Sequence, residues 1–418
     1  MHLKKRQTCR VCGSKSLTQV VSLGEQYLQG SFVNPNKEIP STRKIECALV
    51  RCNPELDEDA CGLLQMKYSV PTEILYNVYW YRSGTNNTMR THLKEMVDEI
   101  LDIIKIDNGS VLDIGCNDGT QLSYYPESFE KFGVDPSDIA TEITSATIFQ
   151  DTFPLKRFEK ELHGRLFDVI TSIAMFYDLE NPVEFVKDVK NSLLSNGVWV
   201  FEMSYMPDML MNNSYDTICH EHLEYYSLTV LENILQRGGM KIFKVSLNKI
   251  NGGSIRCYTT HDGSNKYDNK EDSNYIFELK QKEFDLELDT DKPYQKFGVR
   301  INLESEKLNK LIKELKSEGK SIHVYGASTK GNTILQYSKL DNTLIDYAAD
   351  RNPEKFGSFT LGTNIPIISE EESRAMNPDY YLVLPWHFKQ EFLEREKEAL
   401  DKGTGFIFPL PTLDIYKK

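Results

Sequence analysis

Five of the eight cysteines in this 418-residue chain, Cys9, Cys12, Cys47, Cys52 and Cys61, fall within its first 61 residues. That segment is polar, rich in Gly, Asn and Pro turns and poor in helical patterns, so it cannot bury enough apolar surface to fold without a staple. The basic start MHLKKRQTCRVCG has no apolar stretch behind it. No secretory leader is therefore expected, and the chain is expected in the cytoplasm, where clustered thiols favour a metal over disulfides. Cys9-Arg-Val-Cys12-Gly13 is a knuckle whose glycine lets backbone amides approach sulfur. The second pair is less regular: the loop NPELDEDA separates Cys52 from Cys61-Gly62, and Cys47 competes with Cys52. The expected ligands of a structural zinc are Cys9, Cys12, Cys52 and Cys61. Four protein thiolates fill the tetrahedron and leave no position for catalysis.

The remainder is long enough for more than one core. Hydrophobic residues make up 40% and charged residues 27%, and no apolar run approaches the roughly 20 residues that span a bilayer, so no membrane segment is expected. The net charge of -13 repels phosphate backbones, which argues against nucleic acid as the partner. From Pro71 the pattern turns helical (THLKEMVDEILDIIKI) and then alternates strands with helices: SVLDIG, EKFGVD, FDVITSIA and NGVWVFEM. Such alternation predicts an α/β fold with a parallel sheet. The polar stretch from KYDNKEDSN to ELDTDK reads as a surface connector. Beyond it Leu303, Leu308, Leu311, Ile312 and Leu315 trace a helix face ended by Gly319, followed by a second α/β unit with strands SIHVYGA, TLIDYAAD and DYYLVLP. The expected domains are residues 1–70, 71–265 and 301–418, with a connector over 266–300.

Ser110-Val-Leu-Asp-Ile-Gly-Cys-Asn-Asp-Gly119 is a strand that ends in a Gly-containing turn. Gly115, Asn117 and Gly119 bring the backbone near a ligand, and the Asp113 carboxylate at the strand end suits a cationic amino-acid group better than a pyrophosphate. One strand later, Asp135 in FGVDPS is placed to bridge ribose hydroxyls, and Asp151 is a weaker candidate on the adenine side. Together these strand ends resemble the class I methyltransferases that use S-adenosylmethionine, with VLDIGCNDG as their first motif. After the fourth strand this chain reads SIAMFYDLENP, without the Asn/Asp-Pro-Pro-aromatic turn common in amino-group methyltransferases, so amino methylation is disfavoured.

Asp216-Thr-Ile-Cys-His-Glu-His-Leu-Glu-Tyr-Tyr226 concentrates titratable groups just past the last strand read there and is the strongest catalytic candidate. It is no HExxH zinc helix, because position 224 is Glu. His220 and His222 are two residues apart, so in a helical segment at most one would face a substrate. In the C-terminal unit, Tyr325-Gly-Ala-Ser-Thr-Lys-Gly-Asn332 is a strand-to-helix turn without the GK[ST] of a P-loop.

CRVCG, Cys61-Gly-Leu-Leu-Gln, VLDIGCNDG, ICHEHLEYYS, GGSIRCY and YGASTKGN follow one another in the order seen in the sugar C-methyltransferases of deoxysugar pathways, and the resemblance spans nearly the whole chain. It implies a Rossmann-like methyltransferase core flanked by an N-terminal zinc-binding domain and a C-terminal Rossmann-like domain, and a nucleotide-linked 4-keto-deoxysugar as substrate. It further implies His222 as the base that forms an enolate, with Tyr81, Glu221 or His220 orienting around it. Tyr79 and Tyr81 in YWYRSG match the family's tyrosine-rich segment and are expected at the substrate. The residue before HEH, often aromatic in relatives, is Cys219 here. The C-terminal unit is then expected to grip the nucleotide-sugar, with Lys330 at the diphosphate and Asn332, Asp350, Trp386 and His387 as further contacts. Trp386 alone equally suits a core position. A sugar O-methyltransferase keeps the fold and changes the acceptor. A zinc-ribbon protein that binds or modifies RNA is the competing class, and the acidic balance counts against it. A monomer or small homo-oligomer is expected.

Overall fold

The computed structural model describes residues 3–36, 41–75, 82–154 and 164–418. Tyr79 and Tyr81 lie outside them.

The central domain is a seven-stranded sheet in the spatial order Met240–Asn248, Ser254–His261, Leu193–Ser204, Phe167–Ile173, Gly109–Ile114, Phe129–Val134, Thr147–Phe149. The five strands from Leu193–Ser204 to Thr147–Phe149 run parallel, and Ser254–His261 is antiparallel to both of its neighbours. This is the class I methyltransferase arrangement, reached here from the pairing itself. Gly109–Ile114 is buried from Ser110 to Ile114, as a parallel strand covered on both faces must be. The sequence reading stopped at GVWVFEM and missed the final hairpin. Its turn, Asn251-Gly252-Gly253, has φ of 58°, 89° and 127°, a conformation that an Asn-Gly pair between two alternating runs announces.

The helix Asn87–Ile104 starts at Asn86, whose side chain accepts from Thr88 N, and ends at left-handed Lys105. It buries Met96, Val97 and Ile100 against the sheet. A buried charge network fixes its angle. Arg256 Nε donates to Glu202 Oε2 at 2.8 Å and its Nη1 to Glu99 at 2.9 Å, while His92 Nε2 sits 2.6 Å from Glu202 Oε1. Burial alone would raise the Glu202 carboxyl, but His92 and Arg256 hold it below the usual carboxylate range.

The C-terminal sheet has the order Ile367–Ser369, Tyr347–Asp350, Ile322–Tyr325, Tyr380–Val383, Gly405–Phe408, Asp414–Tyr416, all parallel except the last. This is a second Rossmann-like sheet. The stretch expected as connector holds the helix Lys270–Asp285, and the helix Lys292–Ser317 runs through residue 300. On that helix Ile301, Ser305, Leu308, Ile312 and Leu315 face inward, and Leu303 is exposed at 50%. Five residues before Leu308 is about 140° around the helix, so the expected face was misjudged at its first member.

The N-terminal domain is a four-stranded antiparallel sheet ordered Glu224–Tyr225, Leu64–Met66, Ile45–Cys52, Leu17–Gln26. Its first strand comes from the central domain, directly after the HEH residues. A single apolar core joins Val21, Leu49 and Leu64 of this sheet to Ile218 and Tyr225 and on to Val324, Ile334 and Leu382 of the C-terminal domain. Among the described residues no helix is long and apolar enough to cross a membrane.

Candidate active site and metal centre

The sulfurs of Cys9, Cys12, Cys52 and Cys61 lie within 4.8 Å of one another, with Cys9–Cys61 at 3.5 Å and Cys12–Cys52 at 3.4 Å. Tetrahedral zinc with Zn–S near 2.3 Å spaces its sulfurs about 3.8 Å apart, so the four thiols fit the ion. Left-handed Gly13 and Gly62 follow the second and fourth cysteines, and Val11 N points at Cys9 Sγ from 3.4 Å. Cys47 is elsewhere. It lies on the same strand as Cys52 but at opposite parity, so it faces the other side, where Sγ donates to Ile218 O at 3.6 Å and burial pushes its thiol up to about 12.

The catalytic candidates gather elsewhere. The C-terminal ends of both Rossmann-like sheets face one cavity of about 430 Å³. Ligands of open α/β sheets bind at such strand ends, where the strand order reverses, and here two of these sites share one space. Asp113, Gly115, Cys116 and Ala174 line it from the central domain, and Tyr325–Lys330 with Asp350 and His387 line it from the other. The zinc domain adds Gly30 and Phe32.

On the central side Asp113 is buried, and Thr171 Oγ1 donates to its Oδ1 at 2.7 Å. Burial, with a smaller contribution from Asp135, pushes its carboxyl up to about 7. A buried carboxylate at a cavity, with no cation paired to it among the described residues, fits the ammonium end of an amino-acid ligand. Of the other candidates there, Gly115 lines the cavity, whereas Asn117, Gly119, Asp135 and Asp151 do not. Asp135 instead fixes the loop, accepting from Asn117 N at 2.9 Å and from Ser137 N and Oγ at 2.8 and 2.6 Å. Asn117 Oδ1 in turn accepts from Ser83 N at 2.9 Å, and Asp118 accepts from Gly84 N at 2.7 Å. The segment before the helix Asn87–Ile104 is thereby closed over the turn, and Asn86, Met89 and Leu93 extend the wall.

Residues 218–223 are neither helix nor strand, so His220, Glu221 and His222 turn in different directions. His220 does not reach the cavity. It is 1% exposed, with Nδ1 at 2.7 Å from Gln29 Oε1 and Nε2 at 3.3 Å from Ile45 O. That corrects its expected place at the substrate: it anchors the segment to the zinc domain. Glu221 and His222 do line the cavity. Burial raises Glu221 to about 7, and among the described residues nothing hydrogen-bonds its carboxylate. A Cβ on Gly30 would collide with that carboxylate, so a zinc-domain glycine makes the room for it. His222 Nδ1 is 2.8 Å from Thr217 O. A carbonyl only accepts, so the proton sits on Nδ1 and the Nε2 lone pair is free for a substrate. Tyr177 packs on the imidazole, with ring centroids 4.3 Å apart.

On the C-terminal side, Lys330, Asp350 and His387 line the cavity, but Asn332 and Trp386 do not. Asn332 donates to Gln29 O at 2.6 Å, and Trp386 Nε1 donates to Asp216 Oδ2 at 3.1 Å. Both hold domains together, a correction to their expected contact role. The Asp350 carboxylate accepts from Ala327 N, Asn352 N and Lys355, so it shapes the turn. Sequence reasoning missed Tyr177, Lys355, Arg351 and Arg395, all of which line the cavity. FYD after the fourth strand was a usable signal for Tyr177. The basic residues carried none, because only the tertiary fold brings them to the strand ends.

Comparison with known proteins agrees with this layout. Residues 9–76 match a model described as a putative zinc binding domain, 86–245 a methyltransferase domain, and 249–411 a C-methyltransferase C-terminal domain. The C-methyltransferase NovU of Streptomyces niveus is 27% identical over 413 residues, covering 96% of this chain and 95% of that protein. The three matched domains, in this order, give the chain the domain set of a C-methyltransferase that uses S-adenosylmethionine. Part of this chain also matches a tRNA U34 carboxymethyltransferase of Campylobacter jejuni, at 27% identity over 35% of this chain and 54% of that protein. A solved S-adenosylmethionine-dependent methyltransferase from Clostridium acetobutylicum is 14% identical with a TM-score of 0.35, covering 43% of this chain and 94% of that one.

S-adenosylmethionine and zinc are thus this methyltransferase's cofactors, and the zinc assignment is open to direct test. Cys52→Ser should lose zinc by metal analysis, and Cys47→Ser should retain one ion per chain. Loss of zinc from Cys47→Ser alone would contradict the ligand set.

Proposed function

We propose that this C-methyltransferase acts on a nucleotide-linked 4-keto-deoxysugar through an enolate formed by His222. The observation that carries the reading is the shared cavity, in which the donor-side strand ends, the free edge of His222 and a second Rossmann-like strand-end site meet. A methyl donor alone needs only the first sheet; a second nucleotide-type site implies an acceptor with its own nucleotide handle. Arg351, Lys355 and Arg395 on the C-terminal wall, paired in the empty site with Glu370 and Asp350, are the N–H donors a diphosphate would meet there.

The sulfonium donor supplies an electrophilic methyl group. Everything else falls to the protein, because a carbon becomes nucleophilic only after losing a proton, and a carbon beside a ketone is the accessible one. His222 takes that proton on Nε2 while Thr217 O fixes its tautomer. In the resting site burial, and then the charge of Lys330, lower the His222 imidazole to about 3, so it stands neutral and ready to accept. Asp113 receives the donor's ammonium group, and Asp135 acts by holding the Asn117 loop that shapes the donor's seat.

Two outcomes test this reading. In deuterated solvent, wild-type protein should exchange the sugar proton next to the ketone without transferring methyl. His222→Ala should slow both exchange and methylation by about 10² to 10⁴-fold while sparing cofactor binding. Normal exchange in His222→Ala would remove it as the base.

The Asp113 carboxyl is raised, so below its value near 7 it is neutral and cannot pair with an ammonium group. Calorimetric affinity for S-adenosylmethionine should therefore rise from about pH 6 to about pH 8, by at most about tenfold per unit. Asp113→Asn should bind more weakly and lose that slope; an unchanged slope would place the titration elsewhere.

A further inference from the structure

The cavity wall holds one cation whose direction does not fit a diphosphate grip. Lys330 stands in the first turn of the helix Thr329–Tyr337, whose cap is closed by Ser328 Oγ accepting from Gly331 N. Its side chain crosses to the central domain, where Nζ donates to Asn251 O at 3.0 Å in the turn of the final hairpin. The outer basic residues behave differently: Arg351 and Arg395 pair with Glu370, and Lys355 with Asp350. Among the described residues no carboxylate comes within ion-pair distance of Lys330.

Around it lie groups whose hydrogen bonding is incomplete. Among the described residues Asp216 Oδ1 and His387 Nδ1 are buried without a partner, and the other Asp216 oxygen accepts from Trp386 Nε1. The charge of Lys330 is felt at His222, His387 and Asp216 alike. Burial pulls the Lys330 ammonium below the usual lysine range, and Asp216 opposes this. An ammonium group on the cavity wall whose charge is felt at the base, with two spare N–H bonds and no paired anion among the described residues, is an incomplete electrostatic site.

We infer that Lys330 is a catalytic residue for enolate formation: its ammonium group meets the carbonyl oxygen of the keto-sugar and carries the negative charge that develops there. The inference rests on the proposed keto-sugar reading and assigns a second half to it. As the C–H bond beside the ketone breaks, the proton passes to His222 Nε2 and the electron pair moves to the carbonyl oxygen, which Lys330 holds. When the carbon then attacks the methyl group, its bond to sulfur breaks, the carbonyl re-forms and the oxygen releases its charge. The arrangement removes one of the two effects, burial being the larger, that keep the imidazole acidic in the resting site. The enolate oxygen offsets the Lys330 charge that opposed its protonation, so base and electrophile gain strength together.

The test separates this role from a diphosphate grip. Lys330→Met and wild-type protein are compared with thymidine- and uridine-diphosphate 4-keto-6-deoxyglucose for deuterium exchange beside the ketone, and with bare thymidine and uridine diphosphates for binding. Exchange in Lys330→Met should fall by about 10² to 10³-fold, with nucleoside diphosphate affinity within about twofold of wild type. Lys330→Arg, which keeps the cation, should retain measurable exchange and guards against a folding defect in the methionine variant. A loss of diphosphate affinity with exchange intact would overturn the inference, as would wild-type exchange in Lys330→Met. Failure of the underlying reading is distinguishable, since wild-type protein would then exchange no proton in either sugar.

Discussion

Two residues of backbone pairing place the segment that carries His220, Glu221 and His222. Glu224 and Tyr225 join the zinc-domain sheet opposite Gln65 and Leu64, and Met66 N donates to Leu223 O at 2.8 Å. Without this pairing the HEH residues would form an unsupported loop, since residues 218–223 have no regular hydrogen bonding of their own. The zinc domain completes the support through Gln29, which accepts from both the backbone and the ring of His220 and from Asn332 of the C-terminal domain. None of the four clustered cysteines lines the cavity, yet the zinc domain that they staple pairs with the strand following Glu221 and His222 and so supports that segment.

The second constraint is electrostatic. Asp113, Glu221, His222 and Lys330 line one cavity, and burial shifts each of them toward its neutral form. Such groups cost stability in the empty protein and recover it when ligands of opposite charge arrive. In the proposed reaction an ammonium at Asp113 and an anionic oxygen at Lys330 would supply that relief.

Much of this was legible from local pattern. The knuckle at Cys9 and Cys12, the strand into VLDIGCNDG and the strand SIHVYGA are local features, and each stands where periodicity put it. Spacing alone leaves Cys47 in competition with Cys52, and their opposite parity on one strand separates them once the strand is known. Contacts between domains left no such trace. Asn332, in a Gly-containing turn, and Trp386, in a loop after a strand, look like ligand contacts, yet their partners Gln29 and Asp216 are roughly 300 and 170 residues away in sequence. The strand Glu224–Tyr225 is two residues long, below any periodic signal, and the helix Lys292–Ser317 shows how one exposed apolar residue, Leu303, can mislead a face assignment.

The central claim is that methyl reaches carbon on a keto-sugar. The most direct measurement supplies S-adenosylmethionine labelled with carbon-13 at the methyl group together with thymidine- and uridine-diphosphate 4-keto-6-deoxyglucose, and reads the product by two-dimensional NMR. The account predicts a labelled methyl coupled through one bond to a ring carbon beside the ketone. A labelled methoxy signal, with the label bonded to oxygen, would contradict it.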